Sequence, residues 1–91
     1  MKIIAVCGMG IGTSVLLKMN TEKVLEVLGV KAEVYASDMA KAKQDAADAD
    51  IILTTPELVF QLETLPGIIV PIEHVFDLTE IRQKLVDVLA Q

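Results

Sequence analysis

Cys7 is the only cysteine in the chain. It closes the apolar run that begins at Lys2 and Ile3, and it is followed at once by Gly8, Met9, Gly10, Ile11, Gly12, Thr13 and Ser14. A thiol in that place meets two electrostatic aids. A glycine-rich turn can aim several backbone N–H groups at one point, and the N-terminus of a following helix adds partial positive charge. Both favour a bound phosphate and lower a thiol pKa. The chemistry this spacing suggests is a cysteine that carries or attacks a phosphoryl group, with a depressed thiol pKa as the expectation.

A lone cysteine is more often a small buried hydrophobe. Its position at the end of a strand and before a Gly-x-Gly-x-Gly turn argues for the functional reading, because reactive thiols need an electropositive, partly exposed setting. The glycines themselves have three readings. A dinucleotide fingerprint needs Gly-x-Gly-x-x-Gly, and counting from Gly8 the third position is Thr13. A Walker loop needs a lysine before Ser14, and Thr13 stands there. The third reading is a Cys-x5-Thr-Ser phosphate loop from Cys7 to Ser14. It resembles the Cys-x5-Arg-Ser/Thr loop of the low-molecular-weight tyrosine phosphatases, with Thr13 in the arginine position. Arginine would clamp two phosphoryl oxygens and stabilise transition-state charge. Hydrolysis also needs a carboxyl group near the thiol to manage the leaving group and the water, and the chain contains no Asp-Pro pair. A loop of amides and hydroxyls without the arginine suits holding a phosphoryl group on sulfur and passing it on.

The segment from Cys7 to Ser14 after an N-terminal strand resembles the enzyme IIB component of the bacterial phosphoenolpyruvate-dependent sugar phosphotransferase system. Within it the chain is most like the ascorbate type of the ascorbate/galactitol group. The resemblance covers the whole chain in length and element order, with residues 7–14 as its specific motif, and implies a single enzyme IIB domain over residues 1–91. It implies that Cys7 takes phosphate from a phosphohistidine on enzyme IIA and gives it to a sugar carried by the membrane-embedded enzyme IIC. The protein would then be a phosphotransferase component, cytoplasmic and transiently at the inner face of the membrane through enzyme IIC. Within that reading Cys7 is the nucleophile and transient phosphocysteine. The backbone N–H groups of Gly8, Met9, Gly10, Ile11, Gly12, Thr13 and Ser14 surround the phosphoryl oxygens, and the glycines let the loop adopt positive φ and approach closely. Thr13 and Ser14 offer hydroxyl hydrogen bonds, or one of them caps the helix. Met9 and Ile11 either pack under the loop or form a docking surface for enzymes IIA and IIC.

Other residues carry less weight. His74 is the only histidine and falls in the loop after the fourth strand; it is read as a solvated group that only less often would touch phosphate or partner. Thr54 and Thr55 end the third strand, and capping a short helix is their expected work. Lys18 lies one turn into the first helix and reads as solvated. Asp45, Asp48 and Asp50 lack the convergence of a metal site and read as a solvated face. Neither a cofactor nor a metal is expected.

These residues must be positioned by a small α/β frame. The 91 residues make one small domain, and 53% hydrophobic residues suffice for a core without disulfides or metal. A single cysteine fits a reducing compartment. The longest uncharged stretch, Ile3 to Leu17, is 15 residues with three glycines, short of the roughly 18 apolar residues a membrane span needs. No signal peptide is visible. The net charge of −5 argues against nucleic acid as a partner. It is uneven: residues 1–37 carry four lysines against three glutamates, whereas residues 38–91 carry four basic groups against ten acidic ones. The half with Cys7 is the one that tolerates a dianion.

The pattern alternates strand and helix. Ile3–Val6 reads as a central strand, then a helix capped by Thr13 or Ser14 runs to Leu28 with Gly29 at its C′ position. Leu16 or Leu17, Val24, Val27 and Leu28 form its expected core stripe. Lys31–Ala36 alternates like an edge strand, and Ser37 caps an Ala-rich helix to Ala47. Asp50–Thr54 is a third strand, Pro56 opens a short helix, and Gly67–Pro71 is a fourth strand. Asp77 caps the last helix, Glu80 completes a capping box, and Leu78, Ile81, Leu85, Val88 and Leu89 form its buried face. The expected fold is a four-stranded parallel sheet of order 2-1-3-4 with helices on both faces, Rossmann-like, with the phosphate loop after strand 1. The switch point between strands 1 and 3 falls at Cys7, where open α/β sheets bind ligands.

Two other classes stay open on the residues alone. A phosphatase or arsenate reductase would turn over small substrates by itself; Thr13 and the lack of a second cysteine speak against both. A flavodoxin-like or receiver-type binding module would need aromatic stacking or a strand-end aspartate, and the first and third strands end in Cys7 and Thr54. A monomer is expected, since nothing demands a dimer.

Overall fold

The computed structural model describes residues 1–8 and 11–90, and the backbone alone of Ile11. The readings placed on Met9, on Gly10 and on the Ile11 side chain therefore lie outside the described residues. The chain runs β1 (Lys2–Cys7), α1 (Ile11–Leu28), β2 (Glu33–Asp38), α2 (Ala42–Asp45), β3 (Ile51–Thr54), a 3-10 turn (Pro56–Leu58), α3 (Val59–Leu62), β4 (Ile68–Pro71) and α4 (Leu78–Leu89). All strand pairs are parallel, in the order β2-β1-β3-β4. This is the expected architecture, and it follows from the composition of β1 and β3. Both are buried along nearly their whole length, as interior parallel strands covered on two faces must be.

The pleat divides the core into two layers. Ile3, Ala5 and Cys7 point to one face and join Leu17, Val24 and Leu25 of α1 with Ile81 and Leu85 of α4. Ile4 and Val6 point to the other face and join Ala42 and Ala46 of α2, Ala49, and Leu62 of α3. The period of two along β1 thus places the thiol in the α1/α4 layer.

Several local expectations are corrected. Helix α1 begins at Ile11, so Thr13 and Ser14 lie inside its first turn instead of capping it. Among the described residues the one positive φ is that of Gly29, at 71°. Gly8 and Gly12 do not take positive φ, so among the described glycines only Gly29 uses the left-handed freedom of the residue. There it ends α1 as read: its N–H donates to the Glu26 carbonyl and the Val30 N–H to that of Leu25, which satisfies two terminal carbonyls of the helix. The buried stripe of α1 is Leu17, Thr21, Val24 and Leu25; Val27 is 75% exposed because it sits off that spacing.

Strand β2 starts two residues later than read, since Gly29 and Val30 are spent on the helix end. Helix α2 is four residues long, not a run from Ser37 to Ala47. Ser37 does not cap it: its hydroxyl donates to Asp45, and Asp38 accepts from the Lys41 N–H. In α4 Asp77 caps as expected, accepting from the Thr79 and Glu80 N–H groups, but Leu78 is exposed. Gly67 is fixed by a close approach, because a Cβ there would stand 2.7 Å from the Ala49 carbonyl oxygen. Asp48 and Asp50 are not merely a solvated face. They hold the start of β1, accepting from the Lys2 ammonium and the Lys2 N–H respectively.

Candidate functional site

The carboxyl ends of β1, β3 and β4 open into one cleft of about 550 Å³. Its floor is Cys7 and Gly8. One wall is the first turn of α1, through Gly12, Thr13 and Leu16; the second is Thr55, Pro56 and Glu57; the third is the loop from Glu73 to Phe76. The order of strands creates it, since the connections from β1 and β3 leave the sheet on opposite faces. Helix geometry leaves the N–H groups of the first turn of α1 without a carbonyl partner in the helix, at the end beside Cys7.

Cys7 itself is buried, with 1% of its surface exposed. Burial pushes the thiol pKa up to about 11, and the nearby Glu57 carboxylate adds to the rise. The expected depression is therefore overturned for the unloaded protein. The reason is physical: the pleat turns the side chain into the α1/α4 core layer, and a carboxylate from far along the chain shares its cleft. The resting sulfur is a protonated thiol at neutral pH.

Around it, Ser14 is fully buried in the first turn of α1, whereas Thr13 reaches the cleft. Thr54 donates its hydroxyl to the Val6 carbonyl at 2.7 Å, tying the ends of β1 and β3 together beneath Cys7. Thr55 occupies the capping position of the 3-10 turn but makes no side-chain cap. Its buried oxygen has no well-formed hydrogen bond, yet it lies close enough to favour ionised Glu57. The Glu57 carboxyl is held below its usual range by its own backbone N–H first and by the Thr55 hydroxyl second. Lys18 pairs with Glu22 at 3.2 Å and is not part of the cleft lining.

The third wall is held by side chains. Glu80 accepts from the N–H groups of Glu73 at 2.7 Å and His74 at 2.8 Å, and pairs with Lys84 at 2.7 Å. It does not reach back to Asp77, so the capping box is incomplete. Burial alone would raise the Glu80 pKa; the Lys84 ammonium and the two backbone N–H groups outweigh it and bring it down to about 2. Asn20 of α1 donates to the Val75 carbonyl at 2.8 Å from a buried position. Together these bonds set His74 and Phe76 at the mouth of the cleft. His74, Asp77 and Glu80 each offer a ligand atom within 4.8 Å of one another. Asp77 is already committed to the helix cap and Glu80 to the loop and Lys84, so the trio is spoken for by structure.

A thiol at the switch point thus lies beside a helix N-terminus on the floor of an open cleft. The family model described as the lactose/cellobiose-specific IIB subunit of the PTS system matches residues 2–87. The chain belongs to this IIB family of the sugar phosphotransferase system. The ascorbate-specific PTS system EIIB component of Mycoplasma pneumoniae is 39% identical over 88 residues, covering 96% of this chain and 93% of that protein. The oligo-beta-mannoside-specific EIIB component of Bacillus subtilis is 34% identical over 59 residues, 65% of this chain and 56% of that one. A solved lactose-specific IIB component domain from Streptococcus pneumoniae superposes with a TM-score of 0.67 at 19% identity, covering 99% of this chain and 95% of that one. That likeness shows the shared fold. As a IIB chain the protein is a phosphotransferase component. Among its described residues, no helix is long and apolar enough to cross a membrane.

In this cleft the structure brings together Cys7, Gly8, Gly12, Thr13, Thr55 and His74 from the residues singled out in the sequence, and leaves Ser14, Thr54 and Lys18 outside its lining. The sequence pattern does not mark Glu57, Glu73 and Phe76 on the rim or Lys84 and Asn20 behind it, and it assigns Glu80 to a capping box instead of to the Glu73 and His74 N–H groups. Each acts across a distance set only by the sheet order.

Proposed function

We propose that Cys7 is the phosphoryl carrier of this IIB component. In this reading its sulfur attacks the phosphohistidine phosphorus of enzyme IIA. As the S–P bond forms the N–P bond breaks, and the thiol proton passes to the released imidazole. The released imidazole is itself the acceptor of the thiol proton, so the exchange needs no separate base. The N–H groups at the start of α1, with those of Gly8, Met9 and Gly10 completing the loop and the Thr13 hydroxyl beside them, are the proposed holders of the three phosphoryl oxygens. On discharge a sugar hydroxyl attacks phosphorus, the S–P electrons return to sulfur, and sulfur recovers a proton.

The observation that carries the reading is the position of the chain's only thiol at the β1/β3 switch point, on the floor of a cleft bordered by the N-terminus of an 18-residue helix. The donor is proposed to be enzyme IIA and the acceptor a sugar borne by membrane enzyme IIC, with residues 1–91 acting as one cytoplasmic carrier domain. The identity to the ascorbate-specific relative supports an ascorbate-type or related sugar.

The test is a purified mixture of phosphoenolpyruvate, enzyme I, the phosphocarrier protein and an ascorbate-type enzyme IIA, followed by peptide mass spectrometry of this chain. One added phosphoryl group on the Cys7 peptide is expected. No addition, with hydrolysis of p-nitrophenyl phosphate by the protein alone, would move it to the phosphatase class.

A further inference from the structure

The cleft that is read as a dianion site has an unexpected rim. Its described lining contains no lysine or arginine; the charged or titratable groups that face it are Glu57 from the 3-10 turn, and Glu73 and His74 from the loop before α4. A site built to hold a phosphoryl group as tightly as possible would gather cations instead.

Glu57 stands out by geometry. Its neighbour Leu58 is buried and packs at Gly8, where a Cβ would lie 3.4 Å from a Leu58 methyl carbon. Pro56, on its other side, restricts the backbone at the start of the turn. Glu57 is thereby anchored beside Cys7 and Gly8, with its own side chain on the rim. Its carboxylate is favoured in the ionised form by its own N–H and by the Thr55 hydroxyl, and of the rim acids it is the one whose field the thiol registers.

We propose that Glu57 keeps the phosphoryl group mobile: its carboxylate opposes negative charge on the Cys7 sulfur and on a phosphoryl group bound there, and so biases the carrier toward discharge. The inference rests on the carrier reading above. The charge balance gives its direction. Loaded sulfur bears a phosphoryl group with two negative charges. After the sugar hydroxyl has bonded to phosphorus and the S–P bond has broken, sulfur takes the proton the hydroxyl lost and is a neutral thiol. A carboxylate carried on this anchored backbone at the rim therefore destabilises the loaded side and leaves the discharged side almost untouched. The α1 N-terminus, acting in the opposite sense, still allows loading from a high-energy phosphohistidine. Glu57 does no bond chemistry itself; it acts through its field on sulfur and phosphoryl group.

The experiment compares wild type, Glu57→Gln, Glu57→Asp and, as a distant exposed control, Glu26→Gln. One readout is the pH profile of iodoacetamide alkylation of Cys7. The other is the phosphorylated fraction of the chain at equilibrium with phosphorylated ascorbate-type enzyme IIA, at low and at high salt. Glu57→Gln should alkylate at lower pH than wild type and raise the ratio of loaded to unloaded chain by roughly fivefold at low salt, with the gain shrinking as salt screens the carboxylate. Glu57→Asp and Glu26→Gln should stay near wild type. A Glu57→Gln protein with the wild-type alkylation profile and the wild-type loaded fraction overturns the proposal while leaving the carrier reading standing. A wild-type chain that loads normally on a residue other than Cys7, or does not load at all, overturns the carrier reading and this proposal with it.

Discussion

The two sides of the cleft are built in different ways. The β1–α1 side is contiguous: Cys7 and Gly8, Gly12 and Thr13 follow one another within a few residues, and the backbone does the positioning. The side formed by the loop from Glu73 to Phe76 owes its place to side chains from elsewhere, namely Glu80 and Lys84 of α4 and Asn20 of α1. The first side holds the thiol proposed to carry the phosphoryl group, and the second forms the mouth of the cleft. The same cleft is therefore locally encoded on one side and globally encoded on the other.

The largest break in this comparison comes from the first side. Cys7→Ser should abolish stable phosphoryl acceptance from enzyme IIA, because a serine hydroxyl is a far weaker nucleophile, while the protein still unfolds cooperatively in urea with a midpoint lowered by the cost of a buried hydroxyl, about 1 kcal/mol. Mass spectrometry after the transfer reaction, alongside a denaturation curve, checks both halves of that expectation. Normal loading of the serine variant would remove Cys7 from the mechanism.

Breaking the second side should cost stability and partner transfer but spare the thiol. Glu80→Ala removes an ionised, largely covered carboxylate that holds two N–H groups and an ammonium, a loss of about 2 kcal/mol at neutral pH. Its pH dependence has a definite sign. The folded-state pKa lies below the ordinary 4.5, at about 2, so the stabilisation is full above 4.5 and is lost as pH falls toward 2. Urea midpoints of wild type and variant should therefore differ at pH 7 and converge in acid. A gap that stays constant across that range would show that the carboxylate charge is not what holds the loop.

Asn20→Ala strikes the same loop from α1. It leaves the buried Val75 carbonyl without its donor, at a cost of about 1–2 kcal/mol, and Cys7 alkylation should change little. A stability equal to wild type would mean that the loop is held without α1. The smallest effect sharpens the contrast by lying outside both sides. Gly29→Ala forces a side chain into the left-handed end of α1 and should cost about 1 kcal/mol in thermal or urea unfolding, with phosphoryl acceptance unaffected.

The same contrast explains what could be read from the sequence. The sheet order was legible because β1 and β3 are short continuous apolar runs and Lys31–Ala36 alternates, which already separates interior from edge strands. The place of Cys7 at the switch point followed from that order. The helix start was misplaced because Thr13 and Ser14 look like caps, while the chain begins α1 at Ile11. The thiol pKa was misjudged because dipoles and amides are visible in a local motif, whereas burial by α1 and α4 and the charge of Glu57 are products of tertiary structure. Glu80 looked like half of a capping box; its partners at Glu73 and His74 are fixed by the position of β4, which no local pattern specifies.

The chain has one cysteine and one histidine, and both line the same cleft. The central claim is therefore tested most directly by phosphorus NMR of the protein after loading through enzyme IIA. A single protein-bound phosphorus resonance in the range of S-linked phosphate is expected, absent from Cys7→Ser and retained in His74→Ala. A resonance of N-linked phosphate that survives Cys7→Ser and vanishes in His74→Ala would contradict it, and would make His74 the carrier.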